Sequence, residues 1–322
     1  MRAYRVEAFG TPAALQEIAT PDPGPGQVRL RVMACGLNFA DLLMLEGKYQ
    51  ERPACPFTLG MEISGVVDAH GPGVTAPAIG TRVACFTGQG GLAEYAVVTA
   101  TACTPIPDAM PFDEAAAFQI AYGTSHLALD HRARLQAGET LLVMGAAGGV
   151  GLTAVEIGKR MGATVIATAR GAEKLAIAKA AGADHLIDNE APGLREALRA
   201  LGGVDVVYDA VGGPAFTEAL RATKPEGRLI PIGFAGGEVP QIPANILLVK
   251  NLTVIGLYWG GYLKFAPATL ARSMETLFDW YRGGGLHPHV SHSLPLSRVE
   301  EALALLRSRT STGKVVVTPH PV

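Results

Sequence analysis

Aromatic residues make up only 6% of this 322-residue chain, with 2 Trp in all. That is thin material for stacking nucleic-acid bases. Neither sign of charge dominates either: 27 Lys and Arg against 29 Asp and Glu leave a formal net charge of −2. With no long run of like charge, neither nucleic acid nor an anionic membrane surface is expected as a partner. No apolar stretch reaches membrane-spanning length; ILLVK is cut short by Lys250. The opening MRAYRVEAFG lacks a basic region followed by an apolar core, so no secretory signal is read and a cytoplasmic location is expected. Cysteines are few: Cys35, Cys55, Cys85 and Cys103, widely spaced and without a C-x-x-C. This argues against a disulfide framework or a zinc knot and fits reduced, buried thiols.

What is present describes a well-filled globular protein: 48% hydrophobic and 17% charged residues, in a length that suits two domains. Residues 1 to about 110 carry short β-type runs (QVRLRVMAC, EISGVVDA, TRVACF, LAEYAVV) separated by turn signals such as PDPGPG and HGPG. This predicts a small, mostly antiparallel β-domain. From about residue 112 the texture becomes helix alternating with strand. Strands are predicted in ETLLVMG, TVIATA, DHLID, VDVVYDA, GRLIPIG and NLTVIGLY, with helices between them. Six near-continuous apolar strands predict an α/β fold, a doubly wound parallel six-stranded sheet buried on both faces. Two further helices and a last strand, KVVVTP, follow; that strand has no room in the six-stranded sheet and is expected to return to the first domain.

The turn after the first of these strands reads GAAGGVG, Gly145 to Gly151. A dinucleotide fold uses G-x-G-x-x-G there: one glycine for the tight turn, one for close approach to the pyrophosphate, one for packing helix on strand. Ala146 replaces the first, while Gly148 and Gly151 keep the other two positions. Helix N-terminal amides from about Val150 would face the phosphates. The cofactor base depends on the end of the second strand. An acid there would favour NAD; instead Ala169 is followed by Arg170, with Lys174 one turn on. Two cations without an acid suit a 2′-phosphate, so NADPH is expected over NADH. The alternative is that Arg170 and Lys174 are solvated surface cations. Other chemistries lack their motifs: there is no G-x-S-x-G elbow, Ser64 lying in E-I-S-G, and no P-loop lysine.

On the stretches GLNFADLLMLEGKY, LGMEISGVV, GAAGGVG, VVYDAVGG and IPANILLVKNLTVIGLYWG, the chain resembles, over its whole length, the zinc-free quinone oxidoreductases (zeta-crystallin-like) of the medium-chain dehydrogenase/reductase superfamily. The resemblance implies a GroES-like β-domain plus a Rossmann domain, with an active-site cleft between them. The expected boundaries are 1–115 with 261–322 for the discontinuous GroES-like domain and 116–260 for the Rossmann domain. Zinc alcohol dehydrogenases of that superfamily carry a ligand cysteine where Asn38 stands and a ligand histidine where Met61 stands. An amide and a thioether replace thiolate and imidazole poorly, so no metal is expected. His287, His289 and His292 are read as a surface loop.

Without a Lewis acid, an acceptor that spreads its own charge is favoured, a quinone or a conjugated enone or enal. The expected activity is NADPH-dependent quinone reduction by direct hydride transfer. An enal, enone or enoyl-thioester reductase is the nearest alternative, and a non-enzymatic NADPH-binding protein one of another class. The resemblance implies that Asn38 and Tyr49 line the catalytic site, steadying the developing anion or relaying a proton. Helix capping by Asn38 with Asp41, and boundary packing by Tyr49, are the plain alternatives. It further implies cofactor contacts from Thr124, from the backbone of Ala147, Gly148, Gly149, Val150 and Gly151, from Arg170, Lys174 and Asn189, from Gly233 and Phe234, and from Tyr258 and Arg309. Trp259 and Tyr262 are read as shaping a substrate mouth or as packing. NLTVIGLY, at the sheet edge, is expected to pair with its copy in a homodimer.

Overall fold

Strand Gln27–Gly36 alternates as its sequence demands: Val28, Leu30, Val32 and Ala34 are buried while Arg31 faces solvent. In the computed structural model, which describes residues 1–320, this strand anchors a seven-stranded sheet. It pairs antiparallel with Glu62–His70, Tyr95–Thr99 and the late strand Lys314–Thr318. The strand order is Val290–Pro295, Lys314–Thr318, Gln27–Gly36, Glu62–His70, Arg82–Phe86, Cys103–Pro105. Ala14–Glu17, Arg2–Val6 and Phe57–Thr58 make a separate three-stranded sheet. The expected return of KVVVTP to the first domain is observed. The domain is mostly antiparallel, the exception being the parallel pair Val290–Pro295 with Lys314–Thr318.

The second sheet is six-stranded and parallel throughout, in the order His185–Asp188, Thr164–Ala169, Thr140–Met144, Val204–Asp209, Thr223–Pro231, Thr253–Val254. The expected Rossmann sheet is therefore present, with its order reversing beside Thr140–Met144. Leu141, Leu142, Val143, Val165, Ile166, Val206 and Val207 are fully buried, as strands covered on both faces require. The sixth strand is shorter than NLTVIGLY implied. Only Thr253–Val254 pairs, on Arg228 and Leu229, because the chain turns away into helix Trp259–Phe265.

The chain divides into two compact units, Met1–Ile120 with the chain from Pro288 on, and Ala121–His287. The expected boundary at residue 261 moves: 261–287 packs within the second unit. Helix Pro267–Arg282 buries Leu270, Met274, Leu277 and Phe278 there. Its Ser273 hydroxyl meets His126 Nδ1 at 2.9 Å, and Trp280 carries the Arg160 guanidinium 4.8 Å over its ring. The spacing of that apolar stripe is in the sequence, but its partner is not. Residues 321 and 322 of the expected C-terminal segment lie outside the described residues. Among the described residues no helix is long and apolar enough to cross a membrane.

Helix Gly149–Arg160 packs on the first parallel strand through Gly151. A Cβ there would fall 2.2 Å from the Gly145 carbonyl oxygen and 2.8 Å from Ala146 Cα. At Gly148 it would meet only the Gly145 oxygen, at 3.4 Å. Gly151→Ala is therefore expected to destabilise by about 1–3 kcal/mol, the usual effect of overpacking, and Gly148→Ala to leave stability near wild type. Thermal unfolding of both variants checks this; equal losses would overturn it.

Candidate functional site

The glycine turn of the second unit resolves the irregular motif. The residue in the left-handed region is Gly145, with φ +72°, one place before the position that G-x-G-x-x-G assigns to the tight turn. Ala146 is not among the positive-φ residues, its side chain is buried, and its N–H donates to the Thr168 carbonyl at 2.9 Å. Alanine is therefore no obstacle there. Gly148 is the N-cap of helix Gly149–Arg160, and the first intrahelical bond is Leu152 N–H to Gly148 O at 2.9 Å. The amides of Gly149, Val150 and Gly151 precede it and have no carbonyl within the helix to meet, which leaves donors for an anion.

This helix start is fixed from below. Ser125 Oγ donates to Val150 O at 2.9 Å and exchanges hydrogen bonds with Thr153 Oγ1 at 2.7 Å and the buried Tyr208 hydroxyl at 2.8 Å. Thr153 Oγ1 also reaches Ala121 O at 3.1 Å. Burial, the larger effect, pushes the Tyr208 phenol well above its ordinary range, so it stays neutral. Thr124, the expected nicotinamide contact, is buried beside Ser125 in helix Gln119–His126. Sequence reading missed Ser125, Thr153 and Tyr208, which lie on three elements and share no motif.

At the carboxyl ends of the strands a cavity of about 240 Å³ is lined by Met144, Thr168, Asn189, Val211, Pro214 and Glu218, among others. Asn189 thus joins the end of the first strand. Asp209 holds the turn that carries the lining residue Val211: its carboxylate accepts from Val211 N–H at 2.8 Å and from Gly212 N–H at 3.0 Å. Burial outweighs these bonds and raises its pKa above the usual carboxylate range. The Asp209 carbonyl also accepts from Gly233 N–H at 3.3 Å, which sets Gly233 and the exposed Phe234 at the end of the fifth strand. Arg170 is the N-cap of helix Gly171–Ala180, largely exposed, with Nε 3.2 Å from Glu190. Lys174 has its pKa lowered, by partial burial first and then by the Arg170 charge, so the two cations share one corner. Tyr258 caps helix Trp259–Phe265. Trp259 and Tyr262 are buried, Tyr262 with its ring 4.5 Å from Phe265. Arg309 ends helix Val299–Ser308 in the left-handed region and belongs to the first unit, not to the unit holding Arg170.

In the first unit, Asn38 caps helix Phe39–Leu45, and its N–H donates to Asp41 Oδ2 at 2.8 Å. The expected capping role is present, but Asn38 does more. Its Oδ1 accepts from Lys314 Nζ at 2.7 Å, and its Nδ2 donates to Glu62 Oε1 at 2.9 Å and, weakly, to Gly36 O at 3.4 Å. Lys314 Nζ also donates to Glu62 Oε1 at 2.6 Å, and Glu62 Oε2 accepts from Ile120 N–H at 3.0 Å. The side chains of Lys314 and Glu62 are only 7% and 1% exposed. A donor-only ammonium and an acceptor-only carboxylate decide which end of the Asn38 amide faces which. Sequence reading missed this role of Lys314. Tyr49 is half-buried and packs against the first unit's core. His289 Nε2 meets Thr312 Oγ1 at 3.0 Å; among the described residues no three His, Cys, Asp or Glu are grouped to hold a metal ion.

Residues 24–108 match the alcohol dehydrogenase GroES-like domain family and residues 149–278 the zinc-binding dehydrogenase family. The chain belongs to the medium-chain dehydrogenase/reductase superfamily of oxidoreductases, among the quinone oxidoreductase-like proteins. It is 43% identical to quinone oxidoreductase-like protein 2 homolog of Nematostella vectensis, across 98% of this chain and 88% of that protein. It is 34% identical to the human synaptic vesicle membrane protein VAT-1 homolog, across 94% of this chain and 81% of that one. Among solved structures, the quinone oxidoreductase of Thermus thermophilus, determined also as its complex with NADPH, superposes with a TM-score of 0.88. It is 36% identical, across 99% of this chain and 100% of that one.

Asp41, fully buried beside Lys314 and Glu62, has its carboxyl pushed up to about 7, chiefly by burial. Between the ordinary carboxylate value and 7 the unfolded chain has released this proton while the folded chain keeps it. Stability therefore falls as pH rises through that window and levels off above it. Asp41→Asn keeps an acceptor for Asn38 N–H and removes the titration. It is expected to raise Tm by a few degrees at pH 8 and to flatten the decline from pH 5, which thermal unfolding across pH reads directly.

Proposed function

We propose that this chain is an NADPH-dependent oxidoreductase that works without a metal and reduces conjugated acceptors, quinones first. The observation that carries this reading is Lys314. Its ammonium is bonded to Asn38 Oδ1 and Glu62 Oε1, at the place where zinc relatives would have a ligand. A fixed positive charge there repels a divalent cation, and an amide oxygen already accepting from an ammonium is a poor zinc ligand. Charge developing on the acceptor then has to be spread by the acceptor itself, which quinones do.

NADPH would supply the hydride. The chain's own residues bind and orient. The amides of Gly149, Val150 and Gly151 suit the pyrophosphate, and Gly151, with no room for a side chain against Gly145 and Ala146, lets the helix begin there. Met144, Thr168, Asn189 and Val211 offer the adenosine part a largely apolar cavity. Arg170, which Glu190 pairs in this structure, and Lys174 supply a positive corner for a 2′-phosphate, with the buried Ala169 and not an acid at the end of that strand; Arg309 remains a further proposed contact. Thr124, Ala147, Gly148, Gly233, Phe234 and Tyr258 remain proposed cofactor contacts. Asn38 has its oxygen held by Lys314, so what it can offer is the Nδ2–H that Gly36 engages only weakly. That N–H suits a developing oxyanion, while Tyr49 is proposed as a proton relay.

Turnover of NADPH and NADH against a simple quinone and a short enal tests this. Faster quinone reduction with NADPH is the expected result, and Ala169→Asp should weaken NADPH binding at least tenfold. Faster enal reduction would move the activity to alkene reduction, and tight NADPH binding without turnover of either would favour a non-enzymatic role. We also propose a homodimer formed at the edge strand Thr253–Val254, where helix Ala244–Lys250 exposes Leu248 at 79% and Val249 at 73%. Light scattering at micromolar concentration should give twice the 33.5 kDa chain mass; a monomeric mass overturns it.

A further inference from the structure

Cys85 and Cys103 stand directly opposite each other in the first unit. Strands Arg82–Phe86 and Cys103–Pro105 run antiparallel with partners Val83 and Pro105, Ala84 and Thr104, Cys85 and Cys103. The phase of the ladder follows from its neighbours. Ile106 N–H donates to Arg82 O at 3.1 Å, which makes Arg82 and Ile106 a hydrogen-bonded pair, and the pair types alternate from there. Val83 with Pro105 is then non-hydrogen-bonded, as Pro105, having no N–H, requires. Ala84 with Thr104 is bonded, and Cys85 with Cys103 is non-bonded. In a non-bonded antiparallel pair the Cα atoms are about 4.5 Å apart and the side chains lie close on one face. That spacing falls inside the range of about 4.4–6.8 Å that a disulfide accepts.

The two thiols are also chemically unequal. Cys85 is buried in the core, whereas Cys103 is half-buried at its edge. The Cys85 Sγ donates to Phe86 O at 3.5 Å and the Cys103 Sγ to Thr99 O at 3.9 Å. The neighbouring thiol pulls Cys103 below its ordinary pKa against the effect of burial, while Cys103 and burial together hold Cys85 well above its own. A reachable, more acidic thiol beside a sheltered partner is the arrangement of an attacking and a resolving cysteine. The other two cysteines lack it: Cys35 faces Ile63 and Val317 in its ladders, and Cys55 lies outside any strand.

We propose that Cys85 and Cys103 form a reversible cross-strand disulfide when the protein meets a hydroperoxide. The Cys103 thiolate attacks one peroxide oxygen, the O–O bond breaks, and with hydrogen peroxide the leaving hydroxide takes up a proton to become water. The Cys85 sulfur then attacks the Cys103 sulfenic acid; the S–S bond forms and a second water leaves. Two thiols and one peroxide give one disulfide and two waters, and a dithiol reductant reverses the reaction by exchange.

The test treats the full-length protein with hydrogen peroxide, blocks remaining thiols with a maleimide in denaturant, and maps peptides by mass. The expected result is loss of two of the four thiols, an unblocked chain lighter by two hydrogens, and a linked peptide joining Cys85 to Cys103 that dithiothreitol dissolves. Cys103→Ser should abolish the link and Cys55→Ser should leave it. Cys103 recovered as sulfinic acid while Cys85 still takes maleimide, or a bridge that runs through Cys55, overturns the proposal.

Discussion

The bond between Lys314 and Glu62 draws together segments that are distant in sequence. It joins the last strand of the chain to the strand Glu62–His70, brings in the Asn38 amide before helix Phe39–Leu45, and holds the Ile120 amide through the second carboxylate oxygen. Neither charge could stay buried alone, because an unpaired ion in a dry interior is far too costly. Each segment is therefore held by the requirement that the others be there. This is why the final strand belongs with the first 120 residues, and why Asn38 has a defined orientation. The same requirement has a chemical consequence: the Asn38 oxygen is already taken up by a cation from the chain itself.

The second unit rests on a steric constraint. Helix Gly149–Arg160 can approach the first parallel strand because Gly151 and Gly158 have no side chains: a Cβ would fall 2.2 Å from the Gly145 carbonyl oxygen at the one and 2.5 Å from Leu141 Cδ2 at the other. That approach brings the helix N-terminus to the point where the strand order reverses, the place such sheets use for ligands. Hydroxyls of Ser125, Thr153 and Tyr208 close the space beneath it. The substitution at Ala146 is tolerated because the left-handed turn is made one residue earlier, at Gly145.

Much of this was legible in the sequence because it depends on local pattern. The alternation in QVRLRVMAC placed a half-exposed strand, and the apolar runs LLVM, VIATA and VDVVY placed buried parallel ones. Arg170 at the cap of a helix and Lys174 in its first turn were placed to share a corner. The shortening of NLTVIGLY to two paired residues was not legible, since pairing at a sheet edge depends on where the next segment turns. Nor was the allegiance of helix Pro267–Arg282: its apolar stripe demands a partner, and any apolar surface would have served.

The sequence by itself determined the two textures, the glycine turn, the neutral end of the second parallel strand and the missing thiolate and imidazole ligands. These follow from residue type and near-neighbour spacing, and both are written in order along the chain. Tertiary structure alone decided that Lys314 sits on Asn38 and Glu62, that Asp41 is buried beside them, and that Cys85 faces Cys103. Each is a contact between segments that chain order leaves apart. Burial then changes the chemistry of what it joins, because a charge or a thiol removed from water answers to its new neighbours and no longer to solvent.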